Sequence, residues 1–470
     1  MKHHTRLIVL PLLAALLLSA CAITRVAPPP PVTPAPAFKE TGVWRHAAAP
    51  SAAVPDEWWR VFNDPMLDDL QRRLLIGNEN LKASVAAVSS ARAAFAASHS
   101  AMLPSLSTGV GFTRGANPNA AAPDTVAHPN NSVSLTATAS WEADLWGRLA
   151  QASSGAQSTL QASADDLAAA RLSAQALLAQ TYFALRTADA QGQLLERTAQ
   201  GYGQALALTQ ARYDAGVAAR TDVLQAQVQL KNTQAQRADI TAQRAQLEHA
   251  IAVLLGQAPS AFGIERGTAL PIVPAAPVML PATLLERRPD IAAAQHRTAA
   301  AYAQIGVADA AFFPDLTLSA SAGYRGASLS RLVSAPHLLW SLGASLTEAV
   351  LDGGQRQLAS AQARAAAEQA TSAYRLSVLT ALQEVEDNLV LADQLQQEHQ
   401  WQAEALQAAQ RNLEITLEQY RAGTVGYLNV VSAQNSALAS ESSLLAVHDR
   451  QLAAVSQLMK NIAGRWAAAE

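Results

Sequence analysis

Two hydrophobic periods occur along this chain, one typical of helices and the other typical of strands. Apolar residues, mostly alanine and leucine, recur at helical spacing in long segments that contain no internal proline. These segments predict two sets of helices, each with a short, a very long and a medium member: 77–100, 147–212 and 222–255, then 289–311, 355–421 and 429–464. A helix over 147–212 would extend on the order of 100 Å, so it requires partner helices along its length.

Between the short and the long helix of each set, apolar residues alternate with small polar residues at a period of two. From Val133 to Trp141, serine and threonine occupy every intervening position. The alternation predicts four strands of about ten residues, the length that crosses a bilayer when the strand is tilted. The predicted bounds of these strands are 103–114, 131–142, 314–325 and 337–347.

Strands that face lipid on one side require a closed barrel, because an open edge in hydrocarbon leaves backbone groups unpaired at several kcal/mol each. Four strands are too few, since the smallest bacterial barrels have eight. The chain is therefore predicted to oligomerise. Two copies would supply eight strands around a filled interior; three would supply twelve and leave room for water, which the small inward residues favour. A soluble β-sandwich is disfavoured, because the helices between its strand pairs would be too long.

One turn motif occurs twice, in residues 212–227 and again 207 positions later, which indicates an internal duplication. The glycines of the motif, Gly216 and Gly423, suit the left-handed position that follows the end of a helix. Asp222 and Asn429 suit the N-cap position that starts the next helix. The motif therefore predicts two matching helix–turn–helix connections.

Composition narrows the class of protein. Half of the 470 residues are hydrophobic, yet 5% are aromatic and 15% are charged, which favours long, closely packed, alanine-rich helices. The net charge of −3 gives no electrostatic basis for binding nucleic acid. The sequence shows no phosphate-binding loop, no zinc-spaced His or Cys set and no nucleophile elbow. We therefore expect no enzyme, no catalytic residue, no metal and no cofactor.

The N-terminus predicts export and lipid attachment. Lys2 and Arg6 precede an apolar run at 7–18 that has the length of a signal peptide. The run ends in LSAC, which resembles a bacterial lipobox whose cysteine, Cys21, would carry a covalent lipid. Two or more acyl chains anchor a protein stably to a membrane. The residue after the cysteine is Ala22. In sorting patterns that resemble this one, such a residue directs a lipoprotein to the outer membrane.

Four motifs carry a resemblance to a known family: WWRVFNDP at 58–65, LWGR at 145–148, LLERRPDI at 284–291 and AFFPDL at 311–316. Together they resemble the signatures of the TolC-like outer membrane factors, in the lipoprotein branch of OprM/NodT type. The resemblance covers essentially the whole mature chain. It implies an α+β membrane protein: a homotrimer whose twelve-stranded transmembrane β-barrel, with four strands per chain, continues into a long periplasmic α-helical barrel with a mixed equatorial domain.

The same resemblance implies a function. The chain would be the exit duct of a tripartite efflux pump, passively exporting small molecules or drugs across the outer membrane. Its partners would be a periplasmic adaptor protein and an inner-membrane transporter, for which the RND class is favoured. One alternative is the outer-membrane component of a type I polypeptide exporter, which uses the same fold. A less favoured alternative is a periplasmic coiled-coil adaptor, which needs only one helical hairpin.

These expectations divide the chain into segments with distinct roles. The predicted segments are the signal peptide at 1–20, the acylated N-terminus and proline-rich tether at 21–37, an equatorial segment at 38–76, the first repeat at 77–256, an equatorial linker at 257–288, the second repeat at 289–464 and a C-terminal tail at 465–470.

By resemblance, the two turns would form the periplasmic tip, where a resting gate and the adaptor contact lie. The candidate gate residues are Tyr420, Asp222, Arg220, Leu428 and Asn429. The candidate adaptor-contact residues are Tyr213, Gly216, Gly423 and Val425. This sequence departs from TolC, which has an arginine and two aspartates where Val425, Asn429 and Ser432 stand. The departure argues against an acidic constriction and favours a looser gate, or one that depends on Asp222 and Leu428.

Two of the motifs are expected to be structural. The aromatic residues of the WWRVF segment predict a packing anchor rather than a ligand site. Glu286, Arg287, Arg288 and Asp290 predict an ion-pair and capping cluster at the start of a helix.

Overall fold

The computed structural model describes residues 27–30, 57–116, 129–267, 269–274 and 288–462, which divide into two compact units. We number the elements in chain order. The helices are α1 (Pro65–Gly77), α2 (Glu79–Ser100), α3 (Arg148–Asp214), α4 (Arg220–Leu254), α5 (Pro289–Ala310), α6 (Gln355–Arg421) and α7 (Tyr427–Ile462). The strands are β1 (Ser105–Gly115), β2 (Asn130–Ala143), β3 (Asp315–Gly326) and β4 (Leu338–Thr347).

The first unit is built on a four-stranded antiparallel sheet with the order β1-β2-β3-β4. Its register sets Val110 opposite Leu135, Leu135 opposite Tyr324, and Ala322 opposite Trp340. Because side chains alternate along a strand, this register gathers the alternating apolar residues of all four strands on one face. Leu339, opposite Gly323, is an apolar residue on the other face.

The apolar face of the sheet is largely uncovered by the described part of the chain. On β1 and β4, Val110, Trp340 and Leu342 are 77%, 73% and 76% exposed. The opposite face carries mainly serine, threonine and glycine. A sheet with these two faces is suited to an apolar medium on one side and water on the other.

Two of the sequence motifs meet where strands join helices in the first unit. The indole N–H of Trp146 donates to the Pro314 carbonyl oxygen at 2.7 Å, and the Trp146 ring stacks on Phe313 with centroids 4.9 Å apart. Asp144 then caps α3 by accepting from the Ala150 N–H at 2.8 Å. The LWGR and AFFPDL motifs therefore fix the turn between strand and helix.

The core of the second unit contains the aromatic segment at its beginning. Trp58, Trp59 and Phe62 are fully buried, and Phe62 packs on Phe183 of α3 with ring centroids 4.7 Å apart. Asp64 caps α1 through the Met66 N–H at 2.9 Å. The prediction of a packing anchor is confirmed.

The short helix predicted from about residue 77 is α2, which begins at Glu79, and Asn78 separates it from α1. The Asn78 side chain accepts from the Leu81 N–H at 3.0 Å and donates to the Leu254 carbonyl oxygen at 2.7 Å. Gly77 has no room for a side chain, because a Cβ there would lie 2.1 Å from the Leu255 carbonyl oxygen. The close approach of the α4 terminus therefore imposes the break between α1 and α2, next to the predicted helix start.

The LLERRPDI motif forms part of its predicted ion-pair cluster. Arg288 is buried and donates to Asp290 at 2.7 Å and to Glu384 of α6 at 2.9 Å. Burial opposes ionisation, but the hydrogen bonds and charge of Arg288 outweigh it and lower the pKa of Asp290. The stability that this pair confers is therefore lost as pH falls through the lowered pKa. Glu286 and Arg287 lie outside the described residues.

A buried ion-pair network attaches the segment after α4 to α3. The Asp189 carboxylate accepts from Arg244 Nε at 2.7 Å, from Arg186 Nη1 at 3.2 Å and from the Gly267 N–H at 2.9 Å. The Asp189 side chain is 1% exposed. Arg186 also donates to the Glu265 carbonyl oxygen at 2.8 Å. Among the described residues, Asp189 is therefore the one carboxylate bonded to Arg186, while Arg244 also pairs with Glu248 at 2.9 Å.

Within these residues, no helix combines the length and apolarity required to cross a membrane.

Replacing Asp189 by Asn should lower the free energy of unfolding by about 3–5 kcal/mol, because Arg186 would stay largely buried without its counter-ion and Arg244 would keep only Glu248. The control is Glu398→Gln, which breaks an exposed ion pair with Arg450 and should cost at most about 1 kcal/mol. Thermal unfolding followed by far-ultraviolet circular dichroism compares the two. An Asp189→Asn midpoint no lower than that of the control would contradict the role of the network.

Candidate functional site

Two short turns join the long helices to their partners, α3 to α4 and α6 to α7. Gly216 and Gly423 both have a φ of 76°. In each turn the glycine N–H bonds to the carbonyl three residues earlier, and the next N–H bonds to the carbonyl five residues earlier. This is the Schellman pattern of hydrogen bonds. The predicted left-handed glycine at the helix end is confirmed in both turns.

The predicted N-caps of the following helices were wrong. α4 begins at Arg220 after Ala219, which supplies no side-chain cap, so Asp222 lies within the first turn of the helix. α7 begins at Tyr427, so Asn429 also lies inside its helix. The reason is that backbone carbonyls satisfy the early N–H groups: Asp222 N–H donates to the Ala219 oxygen, and Asn429 N–H to the Gly426 oxygen, each at 3.1 Å.

The second turn is anchored in an apolar cluster. Tyr420 at the end of α6 and Tyr427 at the start of α7 are buried, with ring centroids 5.5 Å apart. Val430 and Val431 of α7 and Ala226 of α4 complete the cluster. Side chains of three helices therefore hold this turn in place.

Two residues of α3 hold Tyr420 at opposite ends. Arg212 Nη1 donates to the Tyr420 carbonyl oxygen at 2.7 Å, and its guanidinium carbon lies 4.7 Å from the centre of the Tyr420 ring. The Tyr420 hydroxyl lies 3.3 Å from the Thr209 hydroxyl. Thr209 and Arg212 are one helical turn apart, so they contact the same partner from one face of α3.

The first turn has the same backbone conformation as the second, but its side chains have different surroundings. Tyr213 and Val217 are exposed, as is Arg220. Asp222 is half-buried, and its charge contributes to raising the pKa of Tyr427. The two matching turns therefore differ in how far their side chains are buried, and not in their backbone hydrogen bonds.

Three polar atoms near the second turn are buried without a hydrogen-bond partner in the part of the chain that the structure describes. They are the hydroxyls of Tyr202 and Tyr427 and Oε1 of Gln434. Burial raises the pKa of both tyrosines to about 12, so both phenols stay neutral at physiological pH. An unpaired buried polar group costs about 1–3 kcal/mol. All three residues line a groove of about 420 Å³ between α3, α6 and α7.

In the part of the chain that the structure describes, the candidate gate residues are not joined to one another by side-chain hydrogen bonds or ion pairs. Among the described residues, no hydrogen bond or ion pair joins Tyr420 to Asp222 or to Arg220. Leu428 and Asn429 are exposed. The adaptor-contact candidates Gly216 and Gly423 are exposed at the turns, and Val425 is half-buried against the tyrosine cluster. Cys21 lies outside the described residues.

The same described residues contain no group of three His, Cys, Asp or Glu side chains placed to hold a metal ion.

Comparison with known proteins identifies the family. A model of the family described as "Outer membrane efflux protein" matches residues 70–257 and 280–464. The chain is 30% identical to the pyoverdine export outer membrane protein OpmQ of Pseudomonas aeruginosa over 96% of each chain. It is also 30% identical to the toluene efflux pump outer membrane protein TtgF of Pseudomonas putida, covering 87% of this chain and 85% of the relative.

Solved structures agree with the sequence comparison. The outer-membrane channel OprN superposes with a TM-score of 0.85 at 27% identity, covering 94% of this chain and 99% of OprN. The Campylobacter jejuni CmeC outer membrane channel superposes with a TM-score of 0.87 at 21% identity, which supports the fold alone, over 94% of this chain and 95% of CmeC.

A four-stranded sheet with one apolar face and two long helical hairpins with matching turns define a subunit of a TolC-like outer-membrane channel. The chain belongs to the outer membrane efflux protein family. It is a channel component of outer-membrane efflux, as its relatives are.

Sequence reasoning missed Arg212 and Thr209 as contacts of the second turn. Both lie more than 200 positions from Tyr420, so no local spacing indicates the contact. One signal was available: the two copies of the motif differ at this position, with Arg212 in the first and Gln419 in the second.

Replacing Gly423 by Ala should destabilise the protein by about 1–2 kcal/mol, because a left-handed backbone brings Cβ too close to the next carbonyl oxygen. Gly203→Ala is the control: it lies inside α3, and a Cβ there would meet no heavy atom within 4 Å. The control should stabilise by about 0.5–1 kcal/mol through helix propensity. Thermal midpoints should move in opposite directions, and a rise for Gly423→Ala would rule out the strained position.

Proposed function

We propose that three copies of this chain form one outer-membrane duct, in which their sheets close into a twelve-stranded barrel. The observation that carries the proposal is the pair of unpaired edges on the four-stranded sheet. Among the described strands, β1 and β4 each have a single neighbour, although both present apolar side chains outward. In lipid such edges would leave backbone groups unpaired at several kcal/mol each. Joining β4 of one copy to β1 of the next satisfies every edge.

The proposed trimer also uses the internal duplication. The family model matches the chain in two consecutive segments, and α3 and α6 both have 67 residues. Each long helix follows a strand directly, α3 after β2 and α6 after β4. Three duplicated chains would therefore supply six strand pairs and six helical hairpins, which would form a periplasmic helical barrel below the membrane barrel.

The duct serves as the exit of a tripartite efflux pump that moves small molecules out of the cell. A periplasmic adaptor joins it to an inner-membrane transporter of the RND class. The TtgF relative, an outer membrane protein of an efflux pump, supports an assembly of this kind. Conduction through the duct is passive and no enzymatic step is proposed. The protein extends from the outer membrane into the periplasm and is held there also by a lipid on Cys21.

Full-length protein purified in detergent should have the mass of a trimer and should conduct ions in planar bilayers. Native mass spectrometry and single-channel recording measure the two properties. The same spectra should show the mass of acyl chains on the native protein and lose it in Cys21→Ser. A monomer, or a membrane that stays insulating, would refute the duct; an unmodified Cys21 would refute the lipid anchor alone.

The two turns form the resting gate at the periplasmic end of the duct. The buried Tyr420 fixes the second turn, while the charge of Asp222 in the first hairpin adds to the effect of burial in raising the pKa of Tyr427. Arg220, Leu428 and Asn429 are exposed on the turns and face the mouth of the proposed assembly.

Replacing Tyr420 and Asp222 together by Ala should raise single-channel conductance, because the second turn would lose both its aromatic anchor and the neighbouring carboxylate. Arg450→Gln is the control, since its ion pair with Glu398 joins α6 to α7 away from the turns. Recording in planar bilayers compares the variants. Conductance equal to that of the native protein would remove both residues from the gate.

A further inference from the structure

Arg212 belongs to both turns at once. Its own carbonyl oxygen accepts the Val217 N–H at 2.9 Å and so closes the first turn. Its side chain donates to the Tyr420 carbonyl oxygen at 2.7 Å, and that oxygen also accepts the Gly423 N–H that closes the second turn. One residue therefore links the backbone hydrogen bonds of two turns that lie about 200 positions apart in the chain.

The contact brings the charged guanidinium of Arg212 against Tyr420. Arg212 takes part in no ion pair among the described residues, and its charge lies against a carbonyl oxygen and the face of the Tyr420 ring. Hydrogen bonds from a charged donor are stronger than neutral ones, and a cation over an aromatic face adds further attraction. One turn earlier on α3, Thr209 contacts the hydroxyl end of the same ring. Tyr420 is thus held to α3 along its full length.

From this geometry we infer that Arg212 is the latch that holds the α6–α7 turn against α3 and keeps the duct closed. The inference rests on the proposed function, since it assigns a positioning residue to the proposed gate. For the mouth to widen, the second turn has to move away from α3. That movement breaks both contacts of Arg212 with Tyr420. The backbone hydrogen bonds of the first turn lie within that turn, so the movement does not break them.

The first test measures the latch without any transport. Trypsin cleaves after Arg421 in the second turn and after Arg220 in the first, and both residues are exposed. In purified trimer, Arg212→Gln should raise the rate of cleavage after Arg421 by about tenfold or more, because local opening of the second turn becomes easier. The rate after Arg220 should not change. Arg212→Lys should lie between the two, because an ammonium keeps the charge but loses the planar fork.

Arg197→Gln is the matched control. Arg197 is also on α3 and also contacts the second hairpin, through a largely exposed ion pair with Glu441 of α7 at 3.0 Å. It should leave both cleavage rates unchanged. An unchanged rate after Arg421 in Arg212→Gln, or an equal increase in Arg197→Gln, would overturn the latch.

The second test uses planar bilayers and separates the latch from the proposed function. Arg212→Gln should raise the ratio of open to closed time by about tenfold, with trimer mass and thermal midpoint close to those of the native protein. The increase should persist in a Tyr420→Phe background, which keeps the ring and the carbonyl, and should shrink in Tyr420→Leu, which lacks the ring. Native protein that does not conduct, with accelerated cleavage in Arg212→Gln, would refute the duct and leave the latch standing.

Discussion

The antiparallel register of the four strands is the constraint on which the rest of this protein depends. It gathers the alternating apolar side chains on one face and leaves β1 and β4 as edges. An exposed apolar face and two open edges invite non-specific pairing in water and are unsatisfied in lipid. The closed barrel that we propose would resolve both problems, because it pairs every edge and places the apolar face against lipid.

The two turns share their backbone geometry but differ in the side chains around them. Gly216 and Gly423 have the same φ and the same pair of hydrogen bonds. Around them, the first turn is exposed and the second is fixed by the Tyr420–Tyr427 cluster. Arg212 in one copy and Gln419 in the other account for part of this difference, because only the arginine extends across to the opposite hairpin.

Polar contacts between distant residues hold the second unit together. Asp64 caps α1 and also accepts from the Tyr182 hydroxyl at 2.7 Å, and Arg186 Nε donates to that hydroxyl at 3.0 Å. Arg186 then joins the Asp189 network, which holds the segment after α4. These groups are buried, so each is stabilising only while its partners are present. α3 and α4, which carry the first turn, are therefore joined by a continuous network of ion pairs and hydrogen bonds.

The sequence by itself determined the features that depend on local period and backbone chemistry. Alternation predicted the four strands, absence of proline predicted the two long helices, and glycine predicted the left-handed ends at 216 and 423. The tertiary structure alone decided which distant residues are in contact. Asn78 interrupts a helix because α4 ends against it, and backbone carbonyls replace Asp222 and Asn429 as caps. Arg212 contacts Tyr420 across 208 positions, because a pairing at that separation depends on helix packing and leaves no trace in local spacing.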